Sequence, residues 1–169
     1  MKTQYPIVNE NDEVIGEMGK REAYKAKQML RSSVIFVFNS GGELFLQKRA
    51  KDKDRYPGAY CMSAAGHVEP NETYEQAAKR ELFEELGLKA ELVEISQERV
   101  PVGPGEFAMS AVFTCVSDDE IALQEEEVES GEFHKIDDVL EMIRAGNSFT
   151  PNIVYLLQKY GDKLVVRRG

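Results

Sequence analysis

Apolar and polar positions change period several times along the chain, and each change predicts an element. Ile7-Val8-Asn9-Glu10 and Glu13-Val14-Ile15-Gly16 flank Asn11-Asp12, the pattern of a hairpin with a polar turn. Lys20 to Arg31 is rich in Ala, Lys, Glu and Met and predicts a helix. Ser33 to Phe38 is a β-branched and aromatic run, so a buried strand is expected there. Asn39-Ser40-Gly41-Gly42 turns it into a second strand, Glu43 to Arg49. Residues 50–58 form a charged loop, and Tyr60 to Val68 predicts a strand that ends in small residues. The next helix starts near Asn71 or Thr73, where Thr73 and Gln76 have capping-box spacing, and stops at Gly87, a natural residue for a left-handed helix end. Strands are expected near Glu91 to Arg99 and Phe107 to Val116. An acidic loop, a short strand around Gly131 to Ile136, and helices at Asp137 to Ala145 and Pro151 to Tyr160 complete the chain. The order describes an α/β fold with helices packed on a mixed sheet, without regular βαβ alternation, in one domain spanning 1–169.

Charge and composition narrow the partners. Thirty acidic against twenty-one basic residues give a net charge of −9, which argues against stable binding to nucleic acid or anionic membranes. A phosphorylated small molecule stays compatible, because a metal ion and a local basic patch can invert the field at one site. No apolar run approaches the roughly 20 residues that cross a bilayer. The start, Met1-Lys2-Thr3-Gln4-Tyr5-Pro6, has no apolar signal core, so a cytoplasmic location is expected. Cys61 and Cys115 lack metal-ligand spacing and read as reduced, semi-buried thiols.

Candidate chemistry concentrates in Gly66-His67-Val68-Glu69-Pro70-Asn71-Glu72 and the helix that follows. At about 100° per residue, Glu81, Glu84 and Glu85 fall within one arc of roughly 100°, with Ala77 and Ala78 one turn earlier on the same arc. An acidic solvated face is one reading of such a run. The alanines permit close backbone approach, and a hard divalent cation would turn the repulsion between Glu81 and Glu85 into binding, which is the other reading.

The spacing favours the second. Glycine, five residues, glutamate, seven residues, then Arg-Glu-aliphatic-any-Glu-Glu-any-Gly-aliphatic is the Nudix signature. Gly66, Glu72, Arg80, Glu81, Leu82, Glu84, Glu85, Gly87 and Leu88 resemble it at every fixed position. The resemblance implies an α/β/α sandwich carrying a loop–helix–loop catalytic motif. It implies Mg²⁺, with Mn²⁺ able to substitute, held by Glu84 and Glu85, with Glu81 a third ligand or the general base. Arg80 would orient Glu81, Glu72 would brace the site, and the backbone carbonyl of Ala65 or Gly66 would join the metal shell. Gly66, lacking Cβ, would let the backbone approach the cation. The implied reaction is hydrolysis of a diphosphate linkage in a nucleoside diphosphate derivative or related small molecule, by water attack at phosphorus.

Outside that box, Val8 to Gly16 and Leu46 to Lys53 before Tyr56-Pro57-Gly58 resemble the Nudix branch that contains isopentenyl-diphosphate isomerase and its hydrolase-like relatives. By that resemblance Arg49 and Lys53 would hold the diphosphate; a solvated loop is the alternative. The isomerases carry a reactive cysteine where this chain has Ala65, and histidines near positions where it has Tyr24 and Leu30. Cys61, four residues before Ala65 on one expected strand, lies roughly 13 Å away along it and cannot substitute. His67 matches an isomerase histidine and is a candidate ligand, or makes a loop hydrogen bond. Glu127 is a candidate further acid, or part of an acidic surface loop. Segments 99–107 and 117–130 are expected specificity loops, with Tyr56, Tyr60, Phe107 and Phe149 as candidate stacking platforms. The alternatives to a hydrolase are a catalytically weak nucleotide-binding regulatory module and an isomerase-like enzyme. Either a monomer or a homodimer fits the resemblance.

Overall fold

In the computed structural model, which describes residues 2–124, 126 and 128–165, the N-terminal hairpin forms as its alternation predicts. β1 (Gln4–Val8) pairs antiparallel with β2 (Val14–Gly19) around a turn in which Asp12 takes a positive φ of 61°. The helix expected through Arg31 is shorter: α1 covers Lys20–Lys25, and β3 (Met29–Phe38) begins where the helix was to continue. Met29 and Leu30 pair with Val8 and Ile7, and Arg31 pairs with Met109. Those ladder bonds, with Leu30 buried against Ile7 and Ala23, outweigh helix preferences of a few tenths of a kcal/mol per residue. Lys27, at φ 52°, makes the turn between helix and strand.

β4 (Leu44–Arg49) pairs with β3 at Phe38 and Leu44, and the two strands then part. The single strand expected over Tyr60 to Val68 is two pieces, β5 (Tyr60–Cys61) against β4 and β6 (Ala64–His67) against β3. Ser63 causes the break. Its Oγ accepts from Val37 N–H at 2.9 Å and donates to the Phe45 carbonyl at 2.5 Å, replacing a rung between the diverging strands. The chain thus crosses from one half of the sheet to the other, and a cleft opens at the crossing.

α2 (Tyr74–Leu86) has the expected ends, with Thr73 and Gln76 forming a reciprocal capping box and Gly87 in the left-handed conformation at φ 68°. β7 (Val93–Gly103) and β8 (Glu106–Val116) form a long hairpin, so 99–107 is mostly ladder rather than loop. β8 runs parallel to β3 from Arg31–Met109 to Phe38–Val116, and β9 (Val128–His134) pairs with β4. α3 (Ile136–Arg144) and α4 (Pro151–Tyr160) follow, with Pro151 in the first turn of α4.

Alternation on β3 sorts the core into two layers. Val34, Phe36 and Phe38 face Ile136 and Val139 of α3 and Ile153, Leu156 and Leu157 of α4. Ile35 and Val37 face Ala78, Leu82 and Leu86 of α2. A mixed sheet between two helical layers is the α/β/α sandwich expected from the sequence.

Candidate active site

Burial of Ala77, Ala78, Leu82 and Leu86 fixes how α2 lies on the sheet, and this sets the positions of its polar residues. Arg80 is the hub. Its Nε and Nη2 grip the two carboxylate oxygens of Glu72 at 2.7 and 3.0 Å, and Nη2 also donates to the His67 carbonyl at 3.0 Å. Nη1 donates to Glu81 at 2.7 Å and to Glu84 at 3.4 Å. The paired hydrogen bonds from Arg80 hold the Glu72 carboxyl below the usual range, against the opposing effect of burial. Loop 67–73 is thereby tied to the middle of the helix.

Glu81 and Glu85 sit deeper. Glu85 accepts from the Gln47 amide at 2.8 Å and from Ala65 N–H at 3.4 Å, while Gln47 donates also to the Ser63 carbonyl at 2.6 Å. Burial raises the Glu85 pKa, and the neighbouring negative charge of Glu81 raises it further. Burial also raises that of Glu81, against the pull of Arg80. The two carboxyl groups lie close enough that each perturbs the ionisation of the other. Gly66 makes this arrangement fit: a Cβ there would stand 2.1 Å from the Glu81 carboxyl carbon. The glycine therefore reserves space for a side chain of α2.

The expected convergence of three carboxylates is realised for Glu81 and Glu85 and not for Glu84. The Glu84 side chain is 54% exposed against 15% for Glu81, and its contact with the cluster is the long bond to Arg80. Arg80 draws Glu72 and Glu81 inward, and like charge keeps Glu84 at the rim. Among the described residues no three His, Cys, Asp or Glu side chains gather closely enough to enclose a metal ion by themselves.

The cleft between the half-sheets has a volume of about 570 Å³, within the range of small-molecule sites. Glu85, Ala65 and Gly66 line it. The expected cations Arg49 and Lys53 line it too, with Arg55, Lys20 and Arg21. Arg55 is fixed by Glu106 at 2.5 Å and by the Val102 carbonyl at 3.2 Å, and its guanidinium lies 4.6 Å from the centre of the Tyr24 ring. The Tyr24 hydroxyl meets Nε2 of His67 at 2.6 Å. Burial, with Lys20 and Arg55 nearby, pushes His67 down to about 4, so the ring is neutral and that nitrogen is engaged.

Cys61 also lines the cleft, because the expected single strand is broken and the extended-strand distance argument does not apply. Burial pushes its thiol up to about 12. Both cysteines are free thiols, Cys115 fully buried and Cys61 half-buried. Of the aromatic candidates, Tyr56 and Phe107 line the cleft, whereas Tyr60 and Phe149 stack on each other at 5.2 Å against the α3–α4 core. Glu127 lies outside the described residues.

Sequence reasoning passed over Gln47, Arg55, Lys20 and Arg21, and took Tyr24 only as the residue standing where the isomerases carry a histidine. Gln47 carried a signal, being the polar residue that interrupts the buried run Leu44-Phe45-Leu46. The others reach the cleft through tertiary folding, which local pattern does not encode.

Comparison with known proteins gives one consistent result. The NUDIX domain family model matches residues 28–156. An uncharacterized Nudix hydrolase of Pseudomonas aeruginosa is 34% identical over 155 residues, 92% of this chain and 91% of the relative. An isopentenyl-diphosphate Delta-isomerase of Pectobacterium atrosepticum is 33% identical, covering 88% of this chain and 86% of its own. The crystal structure of DR0079 from Deinococcus radiodurans superposes with a TM-score of 0.82 at 26% identity, covering 92% and 98% of the two chains.

Proposed function

Since the chain belongs to the Nudix family and is a Nudix hydrolase, we propose that it hydrolyses a diphosphate linkage in a nucleoside diphosphate derivative or related small molecule, using Mg²⁺ or Mn²⁺. One observation carries this reading: two half-buried carboxyl groups, Glu81 and Glu85, perturb each other's ionisation, and Glu85 lines a cleft that five cationic side chains also line.

The donor set suits a hard divalent cation. Carboxylate oxygens are its preferred ligands, and two neighbouring carboxyls whose ionisation burial opposes gain by sharing a metal ion. Mg²⁺ keeps several waters and takes further oxygens from substrate phosphates, so a complete protein cage is not required. Glu81, Glu85 and Glu84 would hold it, with the backbone carbonyl of Ala65 or Gly66. When bound, the cation neutralises the diphosphate and acidifies a water.

The chain's own residues do the rest. Arg80 fixes Glu81, and Gln47 with Ala65 N–H fixes Glu85, so a carboxylate of the pair stands ready to accept the proton of the attacking water. The water oxygen bonds to phosphorus as the bond to the bridging oxygen breaks. Arg49 and Lys53, which line the same cleft, would hold the anionic oxygens of the substrate.

The isomerase relative prompts a second reading, and the site disfavours it. Ala65 offers no thiol, Leu30 is buried in a small apolar core, and the Tyr24 hydroxyl occupies Nε2 of His67. A regulatory module without turnover is disfavoured by the Arg80–Glu81 bond, which positions a base and serves no pure binder.

The test is a panel of nucleoside di- and triphosphates, dinucleotides, nucleotide sugars and prenyl diphosphates, assayed with Mg²⁺ or Mn²⁺ and with chelator. Phosphate or monophosphate release that chelator abolishes is the expected result. Tight binding without turnover of any member would replace the hydrolase with the module, and conversion of isopentenyl diphosphate to its isomer would replace it with the isomerase.

A further inference from the structure

Arg49 ends β4 and lines the cleft, but its side chain is aimed by the backbone of another residue. Its Nε donates to the Arg55 carbonyl at 3.0 Å, and among the described residues it makes no other hydrogen bond or ion pair. That bond orients the guanidinium and leaves its two terminal nitrogens, the edge that grips phosphate oxygens, to a ligand. The aim of Arg49 therefore depends on where the backbone at residue 55 stands.

The loop that carries residue 55 is weakly closed from within. Lys53 N–H reaches the Ala50 carbonyl at 3.3 Å, Gly58 N–H reaches the same carbonyl at 3.4 Å, and Ala59 N–H reaches that of Tyr56 at 3.2 Å. Tyr56 takes φ 49°, a left-handed conformation that bulky residues adopt only when the surroundings hold it. The Arg55 side chain ties this segment down from outside. Its Nη2 donates to Glu106 at 2.5 Å and to the Val102 carbonyl at 3.2 Å, and its guanidinium lies on the Tyr24 ring of α1.

The receiving surface is shaped for that side chain. A bulge between Pro101 and Gly103 takes Val102 out of the pairing with β8, which frees its carbonyl for Arg55. Gly103 stands opposite Glu106 at the end of the β7–β8 hairpin. A Cβ on Gly103 would lie 2.3 Å from the Glu106 carboxylate oxygen and 3.0 Å from Arg55 Nη2. Its φ is not positive, so the backbone does not call for glycine there; the ion pair does. Neither Gly103 nor Glu106 lines the cleft.

We propose that Arg55 is a positioning residue for substrate binding: docked on Glu106, it places the backbone carbonyl that aims Arg49 at the anionic oxygens of the diphosphate. The proposal rests on the assignment of Arg49 to that group. An arginine aimed before the ligand arrives loses less freedom on binding, so the docking acts on affinity more than on the chemical step.

Titration calorimetry with Mg²⁺ and methylenebisphosphonate, whose carbon bridge resists hydrolysis, reads the claim without turnover. Arg49→Ala should weaken binding by about tenfold or more, and Arg55→Ala by about fivefold. Adding Arg55→Ala to Arg49→Ala should cost nothing further, because its effect passes through Arg49. Glu106→Ala is the sharpest variant. It removes a negative charge near the cleft, so electrostatics alone would tighten binding, whereas loss of the docking should weaken it about fivefold. Arg55→Lys, which keeps the ion pair, should recover most of the affinity, and Gly103→Ala supplies an independent route should either alanine variant fail to melt cooperatively. With any diphosphate that is cleaved, Arg55→Ala and Glu106→Ala should raise KM by the same factor and leave kcat within about twofold.

Wild-type affinity in Arg55→Ala, tighter binding in Glu106→Ala, or losses that multiply in the Arg49→Ala/Arg55→Ala double variant would overturn the positioning role. No binding by the wild type would remove the Arg49 assignment and the proposal with it. The expected affinities without cleavage of any diphosphate in the larger panel would keep the role of Arg55 and remove the hydrolase reading.

Discussion

The acidic cluster on α2, whose Glu85 reaches the cleft (the acidic wall), and the cations that line the cleft (the basic wall) are built on different plans. On the acidic wall Arg80 bonds to Glu72, Glu81, Glu84 and the His67 carbonyl, and Glu85 is held by Gln47 and Ala65 N–H. On the basic wall Arg55 pairs with Glu106, Arg49 donates to a backbone carbonyl and Lys53 is also engaged, while Lys20 and Arg21 have no partner among the described residues. The difference separates two tasks. Groups that handle a proton and a nucleophile must be placed before the substrate arrives, since misplacement costs rate directly. Groups that recognise charge work better uncommitted, because any internal partner would compete with the ligand.

The largest effect is expected on the acidic wall. Glu85→Gln or Glu81→Gln should lower kcat by about 100-fold or more with the melting temperature nearly kept, because the fold does not depend on the negative charge of either; near wild-type turnover in both would contradict the assignment. Gly66→Ala comes next. Its methyl would displace the Glu81 carboxyl, so kcat should fall by about 100-fold, and a crystal structure should show Glu81 detached from Arg80. Retained activity with Glu81 in place would show that the glycine serves another purpose.

Arg80→Lys sharpens the comparison between fork and point charge. Lysine cannot grip both Glu72 oxygens while reaching Glu81, so a loss of about 10-fold in kcat and about 1–3 kcal/mol in stability is expected from denaturant unfolding. An unchanged unfolding midpoint would deny the bridge between loop and helix.

The smallest effect lies away from both walls. Burial opposes ionisation of Glu98, but hydrogen bonds from Lys159 and from the Tyr160 and Tyr155 hydroxyls outweigh it and hold the carboxyl at about 2. A carboxyl depressed on folding contributes stability that is present above its unfolded value of about 4.5 and is lost as pH falls toward 2. Glu98→Gln should therefore cost about 1–3 kcal/mol at pH 7 and flatten the stability profile between about 4.5 and 2, with little change in kcat. Identical acid profiles for variant and wild type would show that this clamp between β7 and α4 contributes nothing.

The same contrast governs what can be read from sequence. The acidic wall is legible because its residues lie within a single short segment, where a capping residue, a helical period and fixed spacing all act locally. β3 is legible too, since Val34 to Phe38 is too apolar to lie anywhere but inside. The basic wall is not. Lys20 and Arg21 read as surface of a longer helix until Met29 to Arg31 are claimed by strand pairing with β1 and β8. The break at Ser63, which opens the cleft, depends on a hydroxyl that finds partners on two other strands. Even within the box, the outward position of Glu84 follows from where Arg80 reaches, which helical geometry alone does not specify.

Water attack at phosphorus driven by the Glu81–Glu85 pair is most directly tested by turnover in ¹⁸O-labelled water, with the products resolved by mass. One labelled oxygen should appear in a phosphoryl product of the wild-type reaction with Mg²⁺; labelled product should form about 100-fold more slowly in Glu85→Gln and should not form with chelator. Product formed without label, or labelled product formed by Glu85→Gln at the wild-type rate, would contradict the account.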